Sequence, residues 1–194
     1  APGDILGLVG PITHASGMQL APAFCSGVTV RLFEKFEPEA YLRTMRDERI
    51  TSTFMVPTMI NRLVSRDDLA RWDLSSLNYV LYGAAPMSVE KLKRAIEVFG
   101  PVMMGGYGQT EAPTSISFLT PGEHFAAGQL APDERLASVG RPNPLVRVEI
   151  VNDANEILPP GATGEICVRG DLVMKGYYKA PEKTAETIVD GWLH

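Results

Sequence analysis

The sequence predicts an α/β protein, with a mostly parallel sheet flanked by helices and then a small antiparallel β subdomain. Three observations carry this. Between residues 28 and 119, short β-branched and apolar runs alternate with segments of helical period. Residues 77–106 read as strand, helix and strand joined by short turns, a βαβ unit of the kind that builds parallel pairs. After residue 121 the texture turns to Gly, Pro, Ala and charge, and closely spaced strands follow.

Composition sets the outer bounds. A chain of 194 residues holds one large domain or two small ones, with ample core. Hydrophobic content of 45% and charged content of 21% are ordinary for a globular protein. The net charge of -5 argues against nucleic acid as a principal partner, since phosphate binding is driven by Lys and Arg. No apolar run approaches a membrane span, so no integral membrane segment is expected, and no basic start with an apolar core marks a signal peptide. Cys25 and Cys167 form neither a metal pattern nor a disulfide framework. They read as buried small hydrophobes in a reducing, cytoplasmic setting. The oligomeric state is not legible.

The elements follow in order. Residues 5–12 are mostly apolar and punctuated by Gly7, Gly10 and Pro11, which suits a short buried strand. Residues 28–33 form a strand. Residues 38–48 form a helix with Pro38 in its first turn, where the missing N–H is harmless, and Leu42 and Met45 on its inner face. Residues 51–56 are β-branched and apolar, another strand. Pro57 opens the next helix, with Ile60, Leu63 and Val64 at helical spacing. Arg66, Asp67, Asp68 and Arg71 form a charge-mixed connection. Residues 77–82 are a strand that runs into the small-residue turn Gly83-Ala84-Ala85-Pro86. Ser88 is placed to cap the amphipathic helix carrying Val89, Leu92, Ile96 and Phe99, with Glu90 and Arg94 paired on its wet side. Gly100 and Pro101 end that helix. Strands follow at 114–119, 146–151 and 164–169, the last two as an antiparallel pair. The expected division is an α/β subdomain over 1–120, a linker over 121–139 and a β-rich subdomain with a short terminal helix over 140–194.

One stretch carries chemistry. Val102-Met103-Met104 reads as a buried strand, and Gly105-Gly106-Tyr107-Gly108-Gln109-Thr110-Glu111 as a Gly-rich loop leaving its carboxyl end. Glycines let backbone approach a ligand, Tyr107 offers a flat face, Thr110 a hydroxyl for a phosphate oxygen, and Glu111 hard oxygens for magnesium. In a parallel sheet this loop and the Gly83 turn emerge at one edge, where ligands bind. The plain alternative for the loop alone is a Gly-rich turn with an exposed acid.

Tyr107-Gly108-Gln109-Thr110-Glu111 resembles the Tyr-Gly-x-Thr-Glu motif of the adenylate-forming superfamily, which includes acyl-CoA synthetases, aryl-CoA ligases, luciferases and peptide-synthetase adenylation domains. Three further blocks follow the superfamily's order. Gly83-Ala84-Ala85-Pro86 resembles Gly-Gly-Ala-Pro, with alanine at the second glycine. Ser138-Val139-Gly140-Arg141-Pro142 resembles a segment that follows the nucleotide motif. Gly164-Glu165 to Gly170, Gly176-Tyr177-Tyr178 and Pro181-Glu182-Lys183-Thr184 resemble the Gly-Glu, Gly-Tyr and Pro-Glu-x-Thr pattern, whose role reads as structural.

The resemblance implies an ATP-dependent acid–CoA ligase, with ATP/AMP, Mg2+ and CoA as cofactors and a carboxylic acid as substrate. It implies a nucleotide site at Tyr82, Gly83, Ala84, Ala85, Gly106, Tyr107, Gly108, Gln109 and Thr110, the last two motif residues Thr110 and Glu111 being catalytic and Glu111 the magnesium ligand. It implies an acyl site at His14, Gly83 and Gly108. For His14 the alternative is a hydrogen-bonded core or helix-start histidine. The segment His14-Ala15-Ser16-Gly17 has no acid to hold a substrate amine, which favours a fatty or aryl acid. Alanine at position 84 matters little if its φ is negative and more if it is positive. The superfamily's phosphate loop, its ribose-binding aspartate and its C-terminal lysine have no counterparts here. The chain is therefore expected to be the central part of a larger enzyme and inactive alone. Alternatives are a non-catalytic nucleotide- or acyl-binding module, or an adenylation domain acting with a carrier-protein thiol.

Overall fold

The computed structural model describes residues 1–194, the side chains of Thr114 and Ser115 excepted. The chain runs β1 (Ile5–Leu8), α1 (Ala15–Met18), α2 (Leu20–Cys25), β2 (Thr29–Leu32), α3 (Pro38–Asp47), β3 (Ser52–Met55), α4 (Pro57–Val64), β4 (Tyr79–Gly83), α5 (Val89–Phe99) and β5 (Met103–Gln109). It continues through β6 (Ala112–Leu119), β7 (Phe125–Ala126), β8 (Gln129–Leu130), α6 (Asp133–Leu136), β9 (Arg141–Pro142), β10 (Arg147–Val151), β11 (Glu165–Arg169), α7 (Pro181–Thr187), β12 (Ile188–Val189) and β13 (Trp192–Leu193). Helices α3, α4 and α7 each open on a proline, as their sequences require. Helix α5 ends at Gly100, whose φ of +83° suits a residue without a Cβ.

The chain divides into two compact units, residues 1–106 with 119–140, and residues 107–118 with 141–194. In the first, β1 pairs in parallel with β2 and β3, β3 with β4, and β4 with β5, so all five strands run one way. The helices flank this sheet through the faces their spacing predicts. Leu42 and Met45 of α3, Ile60 and Leu63 of α4, and Leu92 and Ile96 of α5 are buried in one core. Tyr41 donates to Thr53 Oγ1, and Thr53 Oγ1 donates to the Gly7 carbonyl at 2.8 Å, so the buried hydroxyls tie α3, β3 and β1 together with no proton unplaced.

Residues 119–140, which include the expected linker 121–139, pack into this same core. They form a 3-10 turn, the β7–β8 hairpin and α6, and they bury His124, Ala131 and Leu136. Small and proline-rich segments lack a period, yet a few apolar side chains suffice to seat them.

In the second unit β6 pairs antiparallel with β9, and β10, β11, β13 and β12 form an antiparallel sheet in that order. The expected β10–β11 pair is present, with Glu149 opposite Cys167. Its core is small, with Ala112, Ile116, Val168 and Leu193 buried. The Arg147 and Arg169 guanidinium groups lie 5.4 Å and 5.9 Å from the Trp192 ring centroid.

Four local expectations are corrected. The Gly-rich segment is strand as far as Gln109, and only Thr110 and Glu111 turn the chain into β6. Pairing with β4 satisfies its backbone as far as Gly106, and β6 is its neighbour on the other side. Arg94 pairs at 3.0 Å with Glu97, three positions away, rather than with Glu90, four positions away. Ser88 occupies the N-cap of α5 without a side-chain capping bond. Cys25 is exposed at the end of the short α2, while Cys167 is buried as expected.

Candidate functional site

In the first unit, Gly83 closes β4 directly opposite Gly106 of β5. A Cβ on Gly83 would sit 2.4 Å from the Gly106 carbonyl oxygen, and one on Gly105 would sit 2.9 Å from the Tyr82 hydroxyl. These two glycines are therefore required by neighbouring protein atoms. Parallel pairing makes β4 and β5 end at the same edge of the sheet. Strand β1 runs with them through β3, so the segment that leads from Leu8 to His14 leaves the sheet at that edge too. His14 is the exposed N-cap of α1, and its side chain makes no capping bond.

Tyr82 lies in the core, 7% exposed, with its hydroxyl 3.1 Å from His124 Nε2. His124 Nδ1 is 2.8 Å from the Thr120 carbonyl, which can only accept. Nδ1 therefore carries the proton, Nε2 accepts, and the Tyr82 hydroxyl donates. Burial holds the His124 pKa below its ordinary value and raises that of Tyr82, so both stay neutral. The turn beyond is exposed at Ala84 and Ala85. Ala84 has φ of +63°, the left-handed conformation that glycine adopts without a penalty. Alanine pays roughly 1–2 kcal/mol there. The replaced glycine is thus the one substitution in this block that carries strain.

In the second unit, Tyr107 packs against the small core, Gly108 is half-buried, and Gln109 and Thr110 are exposed. Glu111 is half-buried, and its Oε1 accepts a hydrogen bond from the Tyr177 hydroxyl at 2.7 Å. The Glu111 carbonyl accepts from the Met174 N–H at 2.7 Å, which fixes the backbone. The Tyr177 bond, supported by the Lys183 charge, lowers the Glu111 pKa, and the carboxylate is ionised at neutral pH. Tyr177 is itself held. Its N–H donates to Thr184 Oγ1 at 2.9 Å, and Lys183 Nζ lies 4.4 Å from its ring centroid. Gly176 has φ of +146°, and a Cβ there would meet Thr184 at 2.7 Å.

Tyr177 and His124 are the residues that sequence reasoning missed. Gly176-Tyr177 stands 66 positions from Glu111, and no periodicity links the two. The donor set at Thr110 and Glu111 suits a hard divalent cation. The carboxylate is ionised and partly open to solvent, and one hydrogen bond leaves it further lone pairs.

A mostly parallel sheet flanked by helices, followed by small antiparallel sheets, defines an α/β protein of the kind that the Gly-rich motif leads one to expect. The family described as AMP-binding enzyme matches residues 1–178, and the chain belongs to that family, within the adenylate-forming superfamily. It is 38% identical over 184 residues to the medium/long-chain-fatty-acid–CoA ligase FadD8 of Mycobacterium tuberculosis, covering 95% of this chain and 31% of that protein. It is 38% identical over 186 residues to a feruloyl-CoA synthase of Amycolatopsis sp, covering 95% of this chain and 36% of that protein. Among solved structures, the amide bond synthetase McbA from Marinactinospora thermotolerans superposes with a TM-score of 0.91 at 39% identity, over 100% of this chain and 38% of that one. The chain spans about a third of the length of the curated relatives it matches. Among the described residues no helix is long and apolar enough to cross a membrane.

Proposed function

We propose that this chain supplies the nucleotide and acyl site of an ATP-dependent acid–CoA ligase acting on a fatty or aryl carboxylic acid in the cytoplasm. The carrying observation is Glu111, ionised and held by Tyr177 next to the exposed Thr110 hydroxyl. In the reaction a substrate carboxylate oxygen attacks the α-phosphorus of ATP and pyrophosphate leaves. A thiol, that of CoA, then attacks the acyl carbon, and AMP leaves. Negative charge gathers on phosphate oxygens in the first step. Thr110 donates to one of them, and Glu111 would hold the Mg2+ that neutralises phosphate charge. Tyr82, Gly83, Ala84, Ala85, Gly106, Tyr107, Gly108, Gln109 and Thr110 would receive the nucleotide. His14, Gly83 and Gly108 receive the acid.

The relatives support both acid classes, one named for fatty acids and one for feruloyl. An amine acceptor is the second reading for the transfer step, favoured by the 39% identity to an amide bond synthetase. A carrier-protein thiol is a third acceptor that the same panel covers.

The test is Glu111→Gln in a polypeptide of the relatives' full length. Rate against magnesium concentration is measured for both proteins with fatty and aryl acids, offering CoA, carrier thiol or amine. The expected result is a fall of about 10²–10³ in kcat, with kcat/KM falling in parallel and a shifted magnesium curve. Superimposable magnesium curves exclude the metal role and leave Glu111 as a structural acceptor. The 194 residues alone are expected to release no acid-dependent pyrophosphate, because the superfamily's phosphate loop and catalytic lysine are not among them.

A further inference from the structure

A second set of ligating side chains lies in the antiparallel sheet, and neither the nucleotide nor the acyl site uses it. Glu165 and Cys167 are two apart on β11, so both side chains stand on one face of the strand. Strand β13 pairs antiparallel with β11, with Leu193 opposite Val168. The next residue, His194, therefore falls opposite Cys167 and on the same face. On the other side β10 sets Glu149 opposite Cys167.

The side chains meet. Cys167 Sγ is 3.4 Å from His194 Nδ1, which is 3.0 Å from Glu165 Oε2. One ligand atom from each of the three lies within 4.8 Å of the others. An open cleft of about 170 Å³ adjoins Cys167 and His194, with Glu149 and Trp192 in its wall.

We propose that Glu165, Cys167 and His194 bind a single borderline-soft divalent cation of the zinc type, with its fourth position open to the cleft. The donor chemistry selects the metal. One thiolate, one imidazole and one carboxylate form a zinc-type set, whereas magnesium and calcium take oxygen. Tetrahedral zinc bond lengths place such ligand atoms about 3.3–3.6 Å apart. The observed 3.4 Å between sulfur and nitrogen already fits, the 3.0 Å between nitrogen and oxygen must open by a few tenths of an ångström, and the sulfur–oxygen edge, within 4.8 Å, is set by where the Glu165 carboxylate moves. Glu165 can supply that movement, because its side chain is 54% exposed while Cys167 is buried in the sheet. Glu149 is partnered by Arg147 at 2.8 Å and is not one of the three ligands. The cation would join β11 to β13.

Cobalt(II) tests this directly, since a thiolate ligand gives a near-ultraviolet charge-transfer band and tetrahedral geometry gives intense visible bands. The chelator-treated chain is titrated with Co2+, then with Zn2+. One equivalent of Co2+ should raise both sets of bands, and Zn2+ should abolish them. Cys25→Ser should leave the bands unchanged, and Cys167→Ser should lose the charge-transfer band. Glu165→Gln should weaken binding by at least about tenfold. Zn2+ should raise the Tm of the unsubstituted chain and leave that of Cys167→Ser unmoved. Absence of a stoichiometric band in the folded Cys25→Ser chain overturns the proposal, as does a charge-transfer band that survives in Cys167→Ser. Either result leaves a trio held by hydrogen bonds alone.

Discussion

Leu42, Ile50, Met55, Ile60, Leu63 and Leu92 are wholly buried in the first unit, around five parallel strands. The second unit buries a smaller set, with Ala112, Ile116, Val168 and Leu193 at its centre, while both units carry cation–π contacts and ion pairs at their surfaces. Parallel strands covered by helices must be apolar on both faces, whereas an antiparallel sheet needs only one. The difference teaches where sequence change is costly. The first unit stands on a large packed core, and the second on a small core and antiparallel strand pairing.

Truncating the large core tests this most severely. Leu92→Ala removes a wholly buried side chain of α5 and should cost about 2–5 kcal/mol, read as a lower denaturant midpoint at unchanged m-value. A cost under about 1 kcal/mol would mean that this core collapses around the gap. Gly83→Ala comes next. Its Cβ would meet the Gly106 carbonyl at 2.4 Å, and the cost should be about 1–3 kcal/mol, with loss of nucleotide binding in a full-length polypeptide. An unchanged midpoint would show that β4 and β5 part readily at their ends.

Tyr177→Phe sharpens the account of the second unit. The Tyr177 bond lowers the Glu111 pKa in the folded state. Such a group contributes stability above its unfolded value, near 4.5, and that contribution is lost as pH falls through the folded value. The substitution should raise the Glu111 pKa toward 4.5 and make the acid limb of stability shallower, as followed by carboxyl NMR and pH-dependent melting. In a full-length enzyme it should also raise the magnesium concentration at half-maximal rate, an effect that loss of packing alone would not produce. An unmoved Glu111 pKa would show that the hydrogen bond does not persist in solution. The smallest effect belongs to Arg169→Met, which removes one exposed guanidinium from Trp192 and should cost less than about 1 kcal/mol. A loss as large as that of Leu92→Ala would erase the contrast between the two units.

Much of this was legible in the chain alone. Periods of 3.6 and 2 located α3, α4, α5 and the strands between them, because burial of one face is a local pattern. Prolines 38, 57 and 181 marked helix starts, because a fixed φ and a missing N–H act within one turn. The order of the Gly83, Tyr107 and Gly164 blocks pointed to the superfamily, to which the chain belongs.

Other features were decided only by tertiary structure. The glycine-rich stretch is extended because β5 lies between β4, which pairs with it as far as Gly106, and β6, and no local signal encodes a partner strand. Ala84 takes φ of +63° because its turn demands it, although alanine itself favours the opposite sign. The residues 121–139 pack on a core whose other members lie far away in sequence. Tyr177 reaches Glu111, and His194 reaches Cys167 and Glu165, across separations of 66, 27 and 29 residues. Composition and periodicity report what a residue needs from its near neighbours. Which distant side chain meets that need is set by sheet register, and register is a property of the folded chain.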